Sequence, residues 1–211
     1  MRTISKGCEP ASLALHRRSD NADYANYAQK DDLRAALVTE QRGLCCYCLA
    51  RINPAAGGMK IEHWRCQAHH AGEQLDYSNL LGPCLGNEGK PQKSQHCDTK
   101  KANGKLSRNP ANPRPRVEDL VRFLPDGRIE SDDTAFNDEL DEILNLNEAF
   151  LINNRKATLE GFKQGLSKNG RWTRTQLEKW LSEWNGDSDR GDLRPFCQVV
   201  VYWLRKRLAR A

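Results

Sequence analysis

The sequence predicts an α+β fold, a small ββα unit stapled by zinc and embedded in a mainly helical chain, and three observations carry that prediction. Cys45 and Cys48 form a C-x2-C knuckle, and a second cysteine pair, Cys84 and Cys97, follows it. Between the pairs, "NPAAGG" has the proline and glycines of a turn, and "MKIEHW" reads as a short strand leading out of it. Beyond residue 130, apolar residues recur at helical spacing.

The chain of 211 residues is long enough to bury a real core, as one domain or two small ones. Hydrophobic residues make up 38% and charged residues 29%, a balance that fits a globular rather than a disordered chain. No apolar run approaches the roughly 18 residues needed to cross a bilayer. The opening "MRTISKGCEPASLALH" has neither a continuous hydrophobic segment nor a small-residue cleavage site, so a cytoplasmic protein is expected. The net charge of +5 is compatible with nucleic-acid binding without requiring it.

That charge is unevenly spread. From Asp126 to Glu148 there are nine acids and one arginine, whereas Lys90 to Arg122 is basic. Each run reads first as a solvated face. The change of composition near residue 125 suggests a division into 1–125, carrying the cysteine motifs and an N-terminal helical wrap, and 126–211, a helical region suited to packing or partner docking.

The elements follow in order. "KDDLRAALVTEQRG" places Leu33, Ala36 and Leu37 in helical register, with Gly43 as the stop. "LCCYC" and "LARI" then read as a short strand or knuckle, with "MKIEHW" returning against it, so that Glu62 and His63 end a hairpin. After the loop "RCQAHHAGEQLDYSNLLGPC" and Cys97 comes a short helix, "CDTKKANGK". Further on, Leu140, Ile143, Leu144, Phe150, Leu151, Leu159 and Phe162 are core candidates. Leu177, Trp180, Leu181 and Trp184 share one helical face behind a Thr173/Gln176 capping box. In "RPFCQVVVYWLRKRL" the stripe is Phe196, Val199, Val200, Trp203 and Leu204, with Pro195 at the first helical position.

Eight cysteines in a reducing compartment are better explained by metal than by disulfides. C-x2-C lets two thiolates from one turn reach a tetrahedral zinc at about 2.3 Å. Cys84 and Cys97 are the best second pair, because the polar, Gly- and Lys-rich loop between them can bulge while its ends stay close. Cys8, Cys46, Cys66 and Cys197 read as small apolar or incidental thiols. His69 and His70 read as loop histidines, His16 has no visible metal partner, and Trp64 is expected to pack on the knuckle.

The series C-x2-C, Glu62-His63, Asn79-Leu80, Cys84 and "HCDTKK" resembles the HNH endonucleases of the ββα-metal type. The flanking segments "EQRGLCCYC", "LDYSNLLGPC", "NLN" and "RPFCQVVVYWLRKRL" are similar to a narrower branch, the nuclease subunits of Septu-type and retron-associated anti-phage systems. The likeness departs from the family pattern at Glu62, which stands for an aspartate, and at Asp98, where a histidine is usual.

The resemblance implies hydrolysis of phosphodiester bonds, most readily of DNA, by a zinc-stapled module acting with an ATPase partner. It implies His63 as general base, an imidazole being neutral at working pH. Glu62 would hold a catalytic Mg²⁺ or Mn²⁺ together with Asp98 or His96, and Asn79 would hold the loop that orients His63 or approach the metal. Lys100, Lys101 and Lys105, just beyond the last zinc ligand, are phosphate-contact candidates. Two rival readings are a non-catalytic zinc module that binds nucleic acid or a partner, and an RNA-directed nuclease.

Overall fold

The computed structural model describes residues 1–166, 172–189 and 191–210. Two short helices come first, α1 (Ala11–His16) and α2 (Lys30–Glu40). The chain leaves α2 through Arg42 and Gly43, both at positive φ, with Gly43 N donating to Val38 O at 2.9 Å. Gly43, at φ +74°, takes this conformation without a Cβ penalty and ends the helix where expected.

The knuckle that follows is not a strand. Cys45 N donates to Ala50 O at 2.9 Å and Leu49, at φ +67°, turns the chain back. The strand β1 (Glu62–His63) therefore pairs elsewhere, antiparallel with β2 (Leu80–Leu81), Glu62 opposite Leu81 and His63 opposite Leu80. Lys60 N→Pro83 O and Trp64 N→Asn79 O, both 3.0 Å, extend the pairing at either end. The expected return of "MKIEHW" against "LCCYC" is thus corrected. A knuckle must curl to aim two thiols at one point, and that curl consumes the backbone groups a strand would offer. It instead docks on the pair through Cys46 N→Gly82 O at 3.1 Å. The buried Gln41 amide reinforces the joint, exchanging two hydrogen bonds of 2.7 Å with Gly82.

Helix α3 (Cys97–Lys101) completes a strand–strand–helix order. A second hairpin, β3 (Arg122–Phe123) with β4 (Ile129–Glu130), turns at Gly127. Then come α4 (Thr134–Asp138), a π-helical turn (Glu139–Ile143), α5 (Ala149–Leu166), α6 (Arg174–Asn185) and α7 (Cys197–Leu208). The Thr173/Gln176 capping box forms as expected. Pro195 lies outside α7, which starts only after Phe196 at φ +55°. Phe150 is 56% exposed and does not join the core.

The shift of composition at residue 125 coincides with the β3–β4 turn, and packing runs across it. Leu33, Leu37, Leu80 and Leu81 share one core with Phe136, Leu140, Leu144 and Leu151. A second core joins Leu159, Leu177, Val199, Val200 and Leu204 of the last three helices. Within it the Phe162 ring meets Trp180, Trp184 and Trp203 edge-on at 5.3 to 6.2 Å, the arrangement aromatic quadrupoles favour.

The acidic run is tied into the basic one. Asp133 pairs with Arg108 at 2.6 Å, and Asp132 and Glu130 pair with Arg122. Asn145 and Asn147 explain the "NLN" segment. Asn145 Nδ2 donates to Lys93 O and Gln95 O, Leu144 O accepts from Cys97 N at 2.8 Å, and Asn147 exchanges two bonds of 2.9 Å with Ile129. The acidic turn is thereby fastened to the second cysteine loop. Arg155, buried without a carboxylate partner among the described residues, donates to Gly127 O and Leu146 O at 2.6 Å each.

The N-terminal segment is held by Glu118, whose carboxylate accepts from Thr3 N (2.7 Å), Thr3 Oγ1 and the Arg116 guanidinium. Burial alone would raise this carboxyl, but those donors outweigh it and hold it at about 2. Depression below the ordinary value of 4.5 means that its stabilisation is complete above pH 4.5 and is lost as pH falls toward 2. In urea titrations Glu118→Gln should cost about 2 kcal/mol at neutral pH, the scale of a hydrogen bond to a charged group. That deficit should shrink below pH 4.5; a deficit independent of pH would refute the assignment.

Candidate functional site

Cys45 and Cys48 come from the knuckle, Cys84 from the end of the β2 segment and Cys97 from the start of α3. Their Sγ atoms all lie within 4.8 Å of one another. The separations Cys45–Cys97, Cys48–Cys84 and Cys84–Cys97 are 3.8, 3.7 and 3.9 Å. Four thiolates at about 2.3 Å from a tetrahedral zinc stand about 3.8 Å apart, so the four cysteines are positioned to hold that ion. Outer N–H groups support them: Ala50 N lies 3.5 Å from Cys48 Sγ, and His96 Nδ1 lies 3.2 Å from Cys97 Sγ. Among the described residues this is the one cluster of three or more His, Cys, Asp or Glu side chains with metal-binding geometry. The other four cysteines are free, Cys46 and Cys197 buried, Cys66 half-buried and Cys8 exposed.

Beside it lies a buried polar group built on β1 and α3. Glu62 is 3% exposed, and its Oε1 accepts from Lys101 Nζ at 2.7 Å and from the Tyr47 hydroxyl at 3.0 Å. Asp98 sits one turn before Lys101 on α3, with Lys60 Nζ 3.7 Å from its Oδ2. Burial first, and then the neighbouring Asp98 carboxyl, push Glu62 well above the usual carboxylate range, and Lys101 offsets only part of this. Such a pair of carboxyls favours a cation.

His63 is the next residue on β1, and the charges of Asp98 and Lys101 both act on its ring. Its Nε2 lies 3.0 Å from Gln74 O, and its ring stands edge-on to Tyr24 with centroids 4.5 Å apart. A carbonyl can only accept, so Nε2 carries the proton and Nδ1 the lone pair. Burial lowers the imidazole pKa, the Gln74 carbonyl opposing it, and the ring is neutral at pH 7.

Asn79 holds the intervening loop. Its Oδ1 accepts from Arg65 N at 2.8 Å, and its Nδ2 donates to Arg65 O and Glu73 O at 3.1 and 3.2 Å. Of the two roles the family likeness offers Asn79, the loop clamp matches these contacts. Asn79→Ala should cost about 2–3 kcal/mol, near 1 kcal/mol for each lost bond. It should also speed amide hydrogen exchange across 65–74, and unchanged exchange there would refute the clamp.

Several expected roles are redistributed. His96 lies on the thiolate cluster, which leaves Asp98 as the acidic neighbour of Glu62. Lys101 cannot serve as a surface phosphate contact, because its side chain is wholly buried against Glu62 and His63 O. Lys100 is half-buried and Lys105 exposed. His16 Nε2 lies 2.9 Å from Asp23 O. Sequence reasoning misses Tyr47, Tyr24 and the Gln74 carbonyl. Tyr47 does carry a signal, since its place inside C-C-Y-C puts it beside the metal ligands.

A scan against protein-family models and a search of curated proteins match the chain to none.

Proposed function

We propose that the chain is a metal-dependent HNH-type endonuclease that hydrolyses phosphodiester bonds, DNA before RNA. The observation that carries this reading is the placing of Glu62, Asp98 and a neutral, carbonyl-anchored His63 on one strand–strand–helix unit beside a four-thiolate centre. Two hard carboxylates suit Mg²⁺ or Mn²⁺, which commonly takes one or two protein carboxylates and completes its shell with water and phosphate oxygens. When bound, such an ion supplies charge neutralisation on the phosphate and at the leaving oxygen.

The residues divide the remaining work. His63 Nδ1 accepts a proton from the attacking water, whose oxygen bonds to phosphorus as the bond from phosphorus to the 3′-oxygen breaks. The departing 3′-oxygen takes a proton from solvent water, so the products are a 5′-phosphate and a 3′-hydroxyl. The Gln74 carbonyl steadies the imidazolium that forms, and Asn79 keeps that carbonyl's loop in place. Lys101 balances Glu62 before the cation arrives. The resemblance to the Septu-type and retron-associated subunits adds an ATPase partner that restrains or directs cutting.

One observation favours a second reading, a non-catalytic zinc module: Lys101 already neutralises Glu62 in a buried pair. The test is cleavage of plasmid DNA and of RNA in Mg²⁺ or Mn²⁺, with and without the ATPase partner, run beside His63→Ala. Metal-dependent cutting abolished by the substitution supports the nuclease. No cutting by zinc-loaded protein in any arm, with no thermal stabilisation by Mn²⁺, supports the binding module.

A further inference from the structure

Trp64, immediately after His63, forms a wall of two adjoining clefts. One, of about 180 Å³, is lined by Arg65, His69, His70 and Lys105, with no carboxylate in its wall among the described residues. The other, of about 310 Å³, reaches the Asn79 clamp. Arg65 stacks over the Trp64 ring at 5.8 Å and is paired with Glu73 at 2.9 Å, which also lies 3.6 Å from His70 Nδ1. Lys105 is exposed and lines the same cleft, on the segment that leaves α3.

We infer that the cleft between Trp64 and Lys105 is a phosphate-binding subsite, with the Arg65 guanidinium and the Lys105 ammonium as its donors and the Trp64 ring as a wall. Chemistry favours an anion with several acceptor oxygens, since every nitrogen-bearing side chain lining the cleft offers N–H groups. Glu73 holds Arg65 at the rim in the free protein, and an incoming phosphate would compete for the same fork. Trp64 follows His63 directly and Lys105 follows Lys101 by four residues, so the cleft flanks the Glu62–His63–Asp98 group. Resting on the nuclease reading, this subsite seats a phosphate of the strand adjacent to the one cut. Inorganic phosphate would satisfy the same donors.

Binding is tested without cleavage. Anisotropy of a fluorescein-labelled oligonucleotide is titrated with His63→Ala protein free of divalent cations, alone and combined with Lys105→Glu or Arg65→Gln. Lys179→Glu, an exposed lysine on α6, controls for net charge, and zinc content controls for folding. Inorganic phosphate is titrated in parallel by tryptophan fluorescence. The subsite predicts about tenfold weaker binding for Lys105→Glu, a salt slope reduced by about one, and little change for Lys179→Glu. If only the inorganic phosphate response depends on these residues, the subsite stands and its ligand is a free phosphate. Equal weakening by Lys105→Glu and Lys179→Glu, or no response of either probe, overturns the subsite. Because no arm measures cutting, a chain that binds here but never cleaves would sink the nuclease reading and leave the subsite intact.

Discussion

Cys45→Ser should release the zinc and abolish the cooperative thermal transition. Cys45 is fully buried and closes the cluster against Cys97 at 3.8 Å. The four thiols come from three separate stretches of chain, so an ion held among them would cross-link the knuckle, the end of β2 and the start of α3. Short strands of two residues and a five-residue helix cannot hold that arrangement by backbone bonding alone. Structural zinc contributes an apparent 10–16 kcal/mol in small modules, comparable with the roughly 5–15 kcal/mol total stability of a domain. Metal analysis and calorimetry read the effect, with the exposed Cys8→Ser as control. A chelator should reproduce the loss in the parent protein. Full zinc occupancy and an unshifted transition in Cys45→Ser would rule out the four-cysteine centre.

The second large effect is on catalysis. His63→Ala should lower cleavage by about 10² to 10⁴, the usual contribution of a positioned general base, while zinc content holds. His63→Gln, which keeps a donor for the Gln74 carbonyl, separates loss of the base from loss of the local hydrogen bond. If both variants cut within twofold of the parent, His63 is not the base. The pH profile gives an independent reading. Only the neutral ring accepts a proton, and burial holds its pKa below the ordinary 6.5. The rising limb of cleavage rate should therefore fall below pH 6.5, and a limb above it would contradict the buried, neutral imidazole.

Much of the metal centre is legible in the order of residues alone, because C-x2-C spacing is a local geometric fact and the second pair has few competitors. Cys45, Cys48, Cys84 and Cys97, expected to share a zinc ion, converge in a geometry able to hold a metal. The helical face of Leu177, Trp180, Leu181 and Trp184 is likewise readable, since helical period survives burial. Strand partners are less legible. A two-residue strand carries almost no periodic signal, and Leu80–Leu81 pairs with β1 in place of the knuckle because only it has free backbone groups opposite Glu62 and His63.

Charge patterning misleads for a related reason. Lys101 looks like one of several surface cations, yet it alone of the three lysines after Cys97 is sealed against a buried carboxylate, which position along α3 relative to β1 decides. The same holds for residue 125, where composition changes but the core does not. Sequence by itself determined which four cysteines could share a metal ion and where the C-terminal helical faces lie, because residue type and short-range spacing set both. Tertiary structure decided how the polar side chains are paired. Lys101 meets Glu62, His96 meets Cys97, and His63 meets Gln74 through contacts whose partners and burial depend on how distant segments pack.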